Sequence, residues 1–294
     1  MPELPEVETV RRGLEVAFVG RRIERVEVGR ERSVRRTSRE ELTERLTGQM
    51  AIDARRRGKY LLFALDSGDE LMIHLRMSGQ VLIASSDVPR PPHCHVVLTL
   101  GPSQHADAAM RPSTELRFVD PRTFGEVIAF DPKRRPPVLP ELDRLGIDPI
   151  VDGLSADDVR RITAGTKRPL KAVLLDQHLI AGIGNIYADE ILHRARLHPF
   201  RIASSLDARA ARRLSETIIS VLGEAVESGG STLRDARSVD VSGSGGSFQE
   251  HHRVYGRAGE PCLSCRRGRI ASARLAGRAT CWCPQCQPTP RPET

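Results

Sequence analysis

The sequence predicts an α+β fold: an N-terminal β-sandwich with one helix before it, then a helical domain, then a small metal-binding β-hairpin. Three observations carry that expectation. Short apolar segments separated by turn residues fill roughly the first 130 positions, the pattern of a sandwich or barrel. After a proline-rich stretch the apolar residues recur at three- and four-residue spacing. Five of the six cysteines then crowd past residue 261. At 294 residues the chain is long enough for two domains, each with its own core.

Taken in order, residues 4–18 place Val7, Val10, Leu14 and Phe18 on one face of a helix. Strands are expected at "RIERVEV" (22–28), "KYLLFAL" (59–65), "ELMIHL" (70–75), "HVVLTL" (95–100), "LRFVD" (116–120) and "GEVIAF" (125–130). "DPKRRPPVLP" (131–140), dense in proline and charge, reads as a linker. Helices follow at "SADDVRRITAG" (155–165), "PLKAVLLD" (169–176) and "NIYADEILHRARL" (185–197). The longest spans 207–230, with Leu214, Ile218, Leu222 and Val226 on one face and a Gly-Gly stop. Residues 231–249, polar and glycine-rich, read as a mobile loop. The expected division is a sandwich over 1–131, a linker over 132–150, a helical domain over 151–249, and a finger with its tail over 250–294. There is no internal repeat.

Forty-five basic residues against 38 acidic give a net charge of +7, which favours a polyanionic partner. Only Lys59, Lys133, Lys167 and Lys171 are lysines, so arginine supplies the other 41 positive charges. That bias makes any one arginine weak evidence and a well-placed lysine stronger evidence. No apolar run approaches the ~20 residues that cross a bilayer, and no signal-peptide pattern opens the chain. The expectation is a soluble, cytoplasmic protein with no membrane partner.

Cys262-x2-Cys265 and Cys283-x2-Cys286, seventeen residues apart, have the spacing of two knuckles around one structural Zn2+. Four protein ligands would leave no open position for catalysis. Cys281 is an alternative ligand, though its single-residue gap from Cys283 suits a knuckle less well. Arg266, Arg267, Arg269, Arg274 and Arg278 lie between the knuckles, with too little chain for a long helix. A β-hairpin carrying arginines to a phosphate backbone fits this stretch. A purely architectural ribbon with solvated arginines is the other reading.

The opening "MPELPEVE" packs two prolines and three glutamates behind the initiator methionine. One reading is a helix start, with Pro5 in the first turn and acids favoured by the helix dipole. The other is chemical. With Met1 removed, Pro2 would carry a free secondary amine able to act as a nucleophile.

Several motifs in fixed order decide between these. "PELPEVE", "GKYL" around Lys59, "HLRMSG" around Met77, "DPRTFG" around Arg122 and Phe124, "GIGNIYADE" around Asn185, "VYGR" at 254–257 and the four-cysteine finger run from residue 2 to about residue 287. Together they resemble the bacterial formamidopyrimidine-DNA glycosylases, repair enzymes that excise oxidised purines. The resemblance implies a monomer acting on double-stranded DNA that contains oxidised purines or abasic sites. It implies Pro2 as nucleophile, Glu3 as proton-shuttling carboxylate, and Lys59 near the lesion and its phosphate. Glu6 would support them, or serve only as a helix-start acid. Met77, Arg122 and Phe124 would fill the space left by an extruded base; for Met77 and Phe124 the plain alternative is core packing. Asn185 would open the second helix of a helix–two-turn–helix element, and Arg278 would grip the phosphates flanking the lesion. His74 and Lys171 would lie near the DNA backbone, and Arg257 either there or in a structural role.

The chain departs from the family pattern at Arg76, where glycine is usual, and at Thr123, where many members carry a second arginine. The segment 237–257 is a counterpart of the family's lesion-binding loop. Two rival functions follow: an endonuclease VIII-like glycosylase for oxidised pyrimidines, and a DNA-binding relative without catalysis. Leu4 and "RTFG" speak against the first; Pro2, Glu3 and Lys59 speak against the second.

Overall fold

The computed structural model describes residues 1–102, 113–233 and 238–289, so the loop expected at 231–249, the segment 237–257 and the tail to 294 lie partly outside the described residues. The chain divides into two compact units, Met1–Asp143 with Ser228–Ser247, and Arg144–Glu227 with Phe248–Thr294.

The first unit opens with α1 (Leu4–Ala17), which carries Pro5 in its first turn, where the missing N–H costs nothing. Then come β1 (Ile23–Val28), α2 (Arg39–Leu46), β2 (Ala51–Arg57), β3 (Tyr60–Leu65), β4 (Glu70–His74), β5 (Gln80–Ser85), β6 (Cys94–Leu100), β7 (Thr114–Val119) and β8 (Glu126–Phe130). Two four-stranded antiparallel sheets result, ordered β1-β6-β7-β5 and β2-β3-β4-β8. Their inner faces share one core: Leu61, Phe63, Ile73 and Val127 from one sheet meet Ile23, Val96, Leu98 and Phe118 from the other. Helix α1 adds Val7, Val10 and Leu14, and Phe18 sets its ring edge-on to Phe63 at 5.3 Å. Each such burial contributes about 1.5–3 kcal/mol.

All six expected strands form, and β2, β5 and α2 appear beside them without having been revealed by the apolar pattern. Strand β2 turns Ala51, Ala54 and Arg56 inward while Ile52 is 52% exposed, so its hydrophobic signal is inverted. Strand β5 is largely half-buried. Helix α2 has only Leu42 and Leu46 as anchors and relies on the Ser38 side chain, which accepts from the Glu41 N–H at 3.0 Å. The proline-rich stretch carries a 3₁₀ turn (Pro132–Arg134), α3 (Arg135–Val138) and α4 (Pro140–Asp143).

Residues Ser228–Ser247 pack with the first unit although they follow its last strand by almost a hundred positions. The Ile83 N–H donates to the Val241 carbonyl at 2.8 Å. Val241 lies so close to Gly13 that a Cβ there would stand 2.7 Å from its Cγ2.

The second unit holds α5 (Ala156–Thr163), α6 (Leu170–Leu174), α7 (Asn185–Arg194), α8 (Ala208–Glu227) and the hairpin β9 (Ala271–Leu275) and β10 (Arg278–Trp282). Helix α8 packs against α5 and α7, and α7 also packs against β10. The hairpin turn is Ala276-Gly277, both with positive φ (49° and 75°), which matches the strand twist. Among the described residues no helix is long and apolar enough to cross a membrane.

Candidate active site

Pro2 and Glu3 are buried at the head of α1, with Glu3 at its N-cap position and 2% exposed. Glu6 holds this head in place. Its Oε2 accepts the Glu3 N–H at 2.7 Å, and its Oε1 accepts the Ser231 N–H at 2.7 Å. Gly230 (φ +76°) comes so near that a Cβ would stand 2.6 Å from that same Oε1. Only glycine meets both demands. Glu6 therefore tethers the helix start to the returning segment.

Lys59 is 8% exposed and follows Gly58, whose φ of 56° makes the tight turn between β2 and β3. A buried ion pair joins this turn to α1: Arg56 Nε donates to Glu8 at 2.9 Å, and Arg56 Nη1 donates to the Gly58 carbonyl at 2.9 Å. Arg11 adds a second cation on Glu8 at 3.0 Å. Neither Arg56 nor Glu8 is singled out by the sequence, because arginines are common in it and Glu8 reads as a helix acid.

His74 ends β4, buried beneath the edge-on ring of Tyr60 at 4.4 Å. Burial, with Arg76 and Lys59 nearby, pushes its pKa well below the usual imidazole value. It is neutral at pH 7, and its Nδ1 accepts the Arg76 N–H at 2.9 Å, so Nε2 carries the proton.

Met77 and Phe124 are exposed, 37% and 39%, which rules out the core-packing alternative for both. Met77 sits on the turn between β4 and β5; Arg122 and Phe124 sit on the 120–125 loop between β7 and β8. The Arg122 guanidinium lies 5.4 Å from the Phe124 ring centre, within cation–π range. Arg76 (φ 52°) and Thr123 (φ 54°) both occupy the left-handed region, where glycine is favoured. The Arg76 side chain reaches toward Glu126 at 3.5 Å.

In the second unit Asn185 begins α7, half-buried, and its Oδ1 has no hydrogen-bond partner among the described residues. The loop before it is braced by Gln177, which accepts from the Gly182 N–H at 2.9 Å and donates to the Ile183 carbonyl at 2.8 Å. The sequence reading did not single out Gln177.

Lys171 is wholly enclosed. Its ammonium pairs with Asp189 at 2.7 Å and donates to the Ala279 carbonyl and Thr280 hydroxyl at 3.0 and 2.9 Å. It has no exposed atom to offer a DNA phosphate, so the expectation of a backbone contact gives way to a structural one: Lys171 ties the finger to α7. Burial pushes the Asp189 pKa up to about 7 against the pull of Lys171, and Asp189 also accepts the Cys281 N–H at 3.0 Å. Arg257 is likewise engaged, with Glu260 and the Arg253 carbonyl. Arg278 opens β10 beside the hairpin turn and is exposed.

Cys262, Cys265, Cys283 and Cys286 bring four sulfurs within 4.8 Å of one another, and none is in a disulfide. Two of the separations, 3.8 and 3.7 Å, equal the ~3.8 Å edge of a tetrahedron with ~2.3 Å metal–sulfur bonds. The Gly268 N–H donates to Cys265 Sγ at 3.4 Å. This donor set suits one structural Zn2+. Cys281 lies outside the cluster.

Known proteins resemble this chain in sequence and fold. The family model for the formamidopyrimidine-DNA glycosylase N-terminal domain matches residues 1–127, and that for the H2TH domain of the same enzymes matches residues 145–237. The formamidopyrimidine-DNA glycosylase of Rhodopseudomonas palustris is 43% identical over 98% of this chain and all of its own. The chain belongs to the formamidopyrimidine-DNA glycosylase family. The Geobacillus kaustophilus member is 42% identical at 98% and 100% coverage. The Lactococcus lactis enzyme, solved in complex with DNA containing an abasic site, superposes with a TM-score of 0.86 at 34% identity, covering 98% of this chain and all of that one. A mutant of the same enzyme in complex with Fapy-dG-containing DNA gives the same score. The chain is thus a DNA-repair enzyme of this family with a cysteine cluster of the zinc-finger kind, and abasic-site lyase activity is known within the family.

Proposed function

We propose that the enzyme is a bifunctional glycosylase and abasic-site lyase that removes oxidised purines, 8-oxoguanine and formamidopyrimidines, from duplex DNA, preferentially opposite cytosine. One observation carries the reading: the head of α1 holds Pro2 and Glu3 buried and braced through Glu6. A stretch serving only as a helix start has no need of such a tether.

With Met1 removed, the Pro2 amine attacks C1′ of the damaged nucleotide, and the bond from C1′ to the base breaks. Terminal amines titrate near pH ~8, so a useful neutral fraction exists at pH 7. Glu3 supplies the proton as the sugar ring opens. The product is an iminium ion, which acidifies the C2′ proton. Loss of that proton expels the 3′ phosphate, and a second elimination expels the 5′ phosphate. Hydrolysis then returns the free amine. Lys59 would face the lesion and its phosphate, while the neutral His74 offers its Nε2–H to the backbone.

Extruding the base leaves a gap, which Met77 and Phe124 would fill, Phe124 as a wedge. Arg122 has donors only, so it suits the acceptors O2 and N3 of an orphaned cytosine and fits the exocyclic amine of adenine poorly. Asn185 at the start of α7 and Arg278 on the finger would hold phosphates.

The test is borohydride trapping with an 8-oxoguanine:cytosine duplex, with intact mass checking the loss of Met1. A covalent adduct on Pro2, lost or much weakened in Glu3→Gln, is expected. An adduct on a lysine with Pro2 unmodified overturns the mechanism. Trapping only with thymine glycol would favour the pyrimidine-directed alternative, and DNA binding without any trapping would favour a non-catalytic binder.

A further inference from the structure

The three gap-filling side chains sit on two separate connections, and one buried carboxylate joins those connections. Asp120 is 0% exposed. Its Oδ1 accepts the Ser78 hydroxyl at 2.5 Å, from the turn that bears Met77, and the Arg122 N–H at 3.2 Å. Its Oδ2 accepts the Gly125 N–H at 2.7 Å, at the far end of the loop that bears Phe124. The main chain of Asp120 is fixed in turn: its N–H donates to the His93 carbonyl at 3.0 Å, and its carbonyl meets His95 Nε2 at 2.9 Å.

Both connections pack closely at a glycine. A Cβ at Gly125 would stand 2.5 Å from the Phe118 ring and 3.1 Å from Asp120 Oδ2, and one at Gly79 would stand 2.6 Å from the Leu75 carbonyl oxygen. We infer that Asp120 is a positioning residue that makes Met77, Arg122 and Phe124 one preformed wedge, and so sets how well the enzyme tells cytosine from adenine opposite the lesion. This rests on the gap-filling role proposed above. Without the carboxylate the Met77 turn and the Arg122 loop would be joined only through their flanking strands and the longer Arg76–Glu126 contact. Arg122 would then meet the orphaned base over a wider range of angles, and the geometry-dependent discrimination would fall.

The test compares substrates that need the wedge with one that does not. A single-stranded abasic oligonucleotide has no opposite base and no duplex stack to refill. Ser78→Ala removes only the tether to the Met77 turn; Asp120→Asn disturbs both connections. Single-turnover excision of 8-oxoguanine opposite cytosine is expected to fall roughly tenfold in Ser78→Ala, the worth of about one buried hydrogen bond, and further in Asp120→Asn. The cytosine-to-adenine rate ratio should fall severalfold in both, while borohydride trapping on the single strand stays at the parental rate. Ser78→Thr, which keeps the hydroxyl, should restore duplex excision and the ratio. Equal losses on single and double strands, or an unchanged ratio in Ser78→Ala, would overturn the inference. Should Asp120→Asn not fold, the Ser78 pair decides alone. Failure of the parental enzyme to trap any substrate would instead sink the proposed function.

Discussion

Glu3 and Lys59 are 2% and 8% exposed, whereas Met77 and Phe124, in the same unit, are 37% and 39% exposed. Around the first pair the supports are charged side chains: Glu6, which reaches Ser231, and Arg56, which reaches Glu8 and the nearby Gly58 carbonyl. Around the second they are short turns with left-handed residues at Arg76 and Thr123, gathered on one aspartate. The proposed nucleophile Pro2 and its proton donor Glu3, with Lys59 beside the lesion, would need a fixed, partly dry setting before substrate arrives. A wedge must leave apolar surface in water until DNA covers it, at about 25 cal/mol per Å2. Damage to the first region should therefore cost stability and chemistry together, and damage to the exposed side chains of the second should cost chemistry alone.

The sharpest way to break this contrast is Arg56→Met. It leaves Glu8 buried with one cation fewer and frees the Gly58 carbonyl, a loss of about 3 kcal/mol. Urea unfolding should show it, and borohydride trapping should slow by at least tenfold as the Lys59 turn loosens. A variant of parental stability with full trapping would end the argument that this pair aligns the site.

A pH series tests the boundary between the regions at His74. Its pKa is lowered in the folded state, so between the unfolded value of ~6.5 and the lower folded value the unfolded chain binds the extra proton. Stability from this group is complete above about pH 6.5 and is lost as pH falls below it, at no more than about 1.4 kcal/mol per pH unit. His74→Asn should flatten the urea midpoint between pH 6.5 and 5.5 relative to the parent. Parallel slopes would mean His74 titrates normally.

The smallest effect on stability belongs to Phe124→Ala. With 39% of its surface already exposed, its removal should shift unfolding by less than about 0.5 kcal/mol. Excision of 8-oxoguanine from duplex should still fall roughly tenfold, the worth of one base-stacking contact. A large drop in thermal stability would show that Phe124 belongs to the core after all.

Periodicity alone located α1, six of the eight strands of the sandwich and the four longer helices of the second unit, because each buries one continuous apolar face. It missed β2, whose inward residues are Ala51, Ala54 and Arg56, since pattern reading assumes that buried means apolar. Cysteine spacing identified the four metal ligands, because a tetrahedral site tolerates few loop lengths. Family motifs named Lys171 as a DNA contact, and burial corrected it. A motif reports that a lysine belongs at a position without saying whether its ammonium meets water or Asp189.

The amino-acid sequence by itself determined most of the elements in their order, the zinc knuckles, the family and the proposed reagents at the chain's head, since all of these depend on residue type at short spacing. Only the tertiary structure decided that Ser228–Ser247 returns to the first unit, that Glu6 and Arg56 brace the head of α1 and the Lys59 turn, and that Asp120 unites two loops. The physical reason is range. Asp120 meets Ser78 across 42 positions, Arg56 meets Glu8 across 48 and Glu6 meets Ser231 across 225, and nothing in local propensity records which partner the fold will bring.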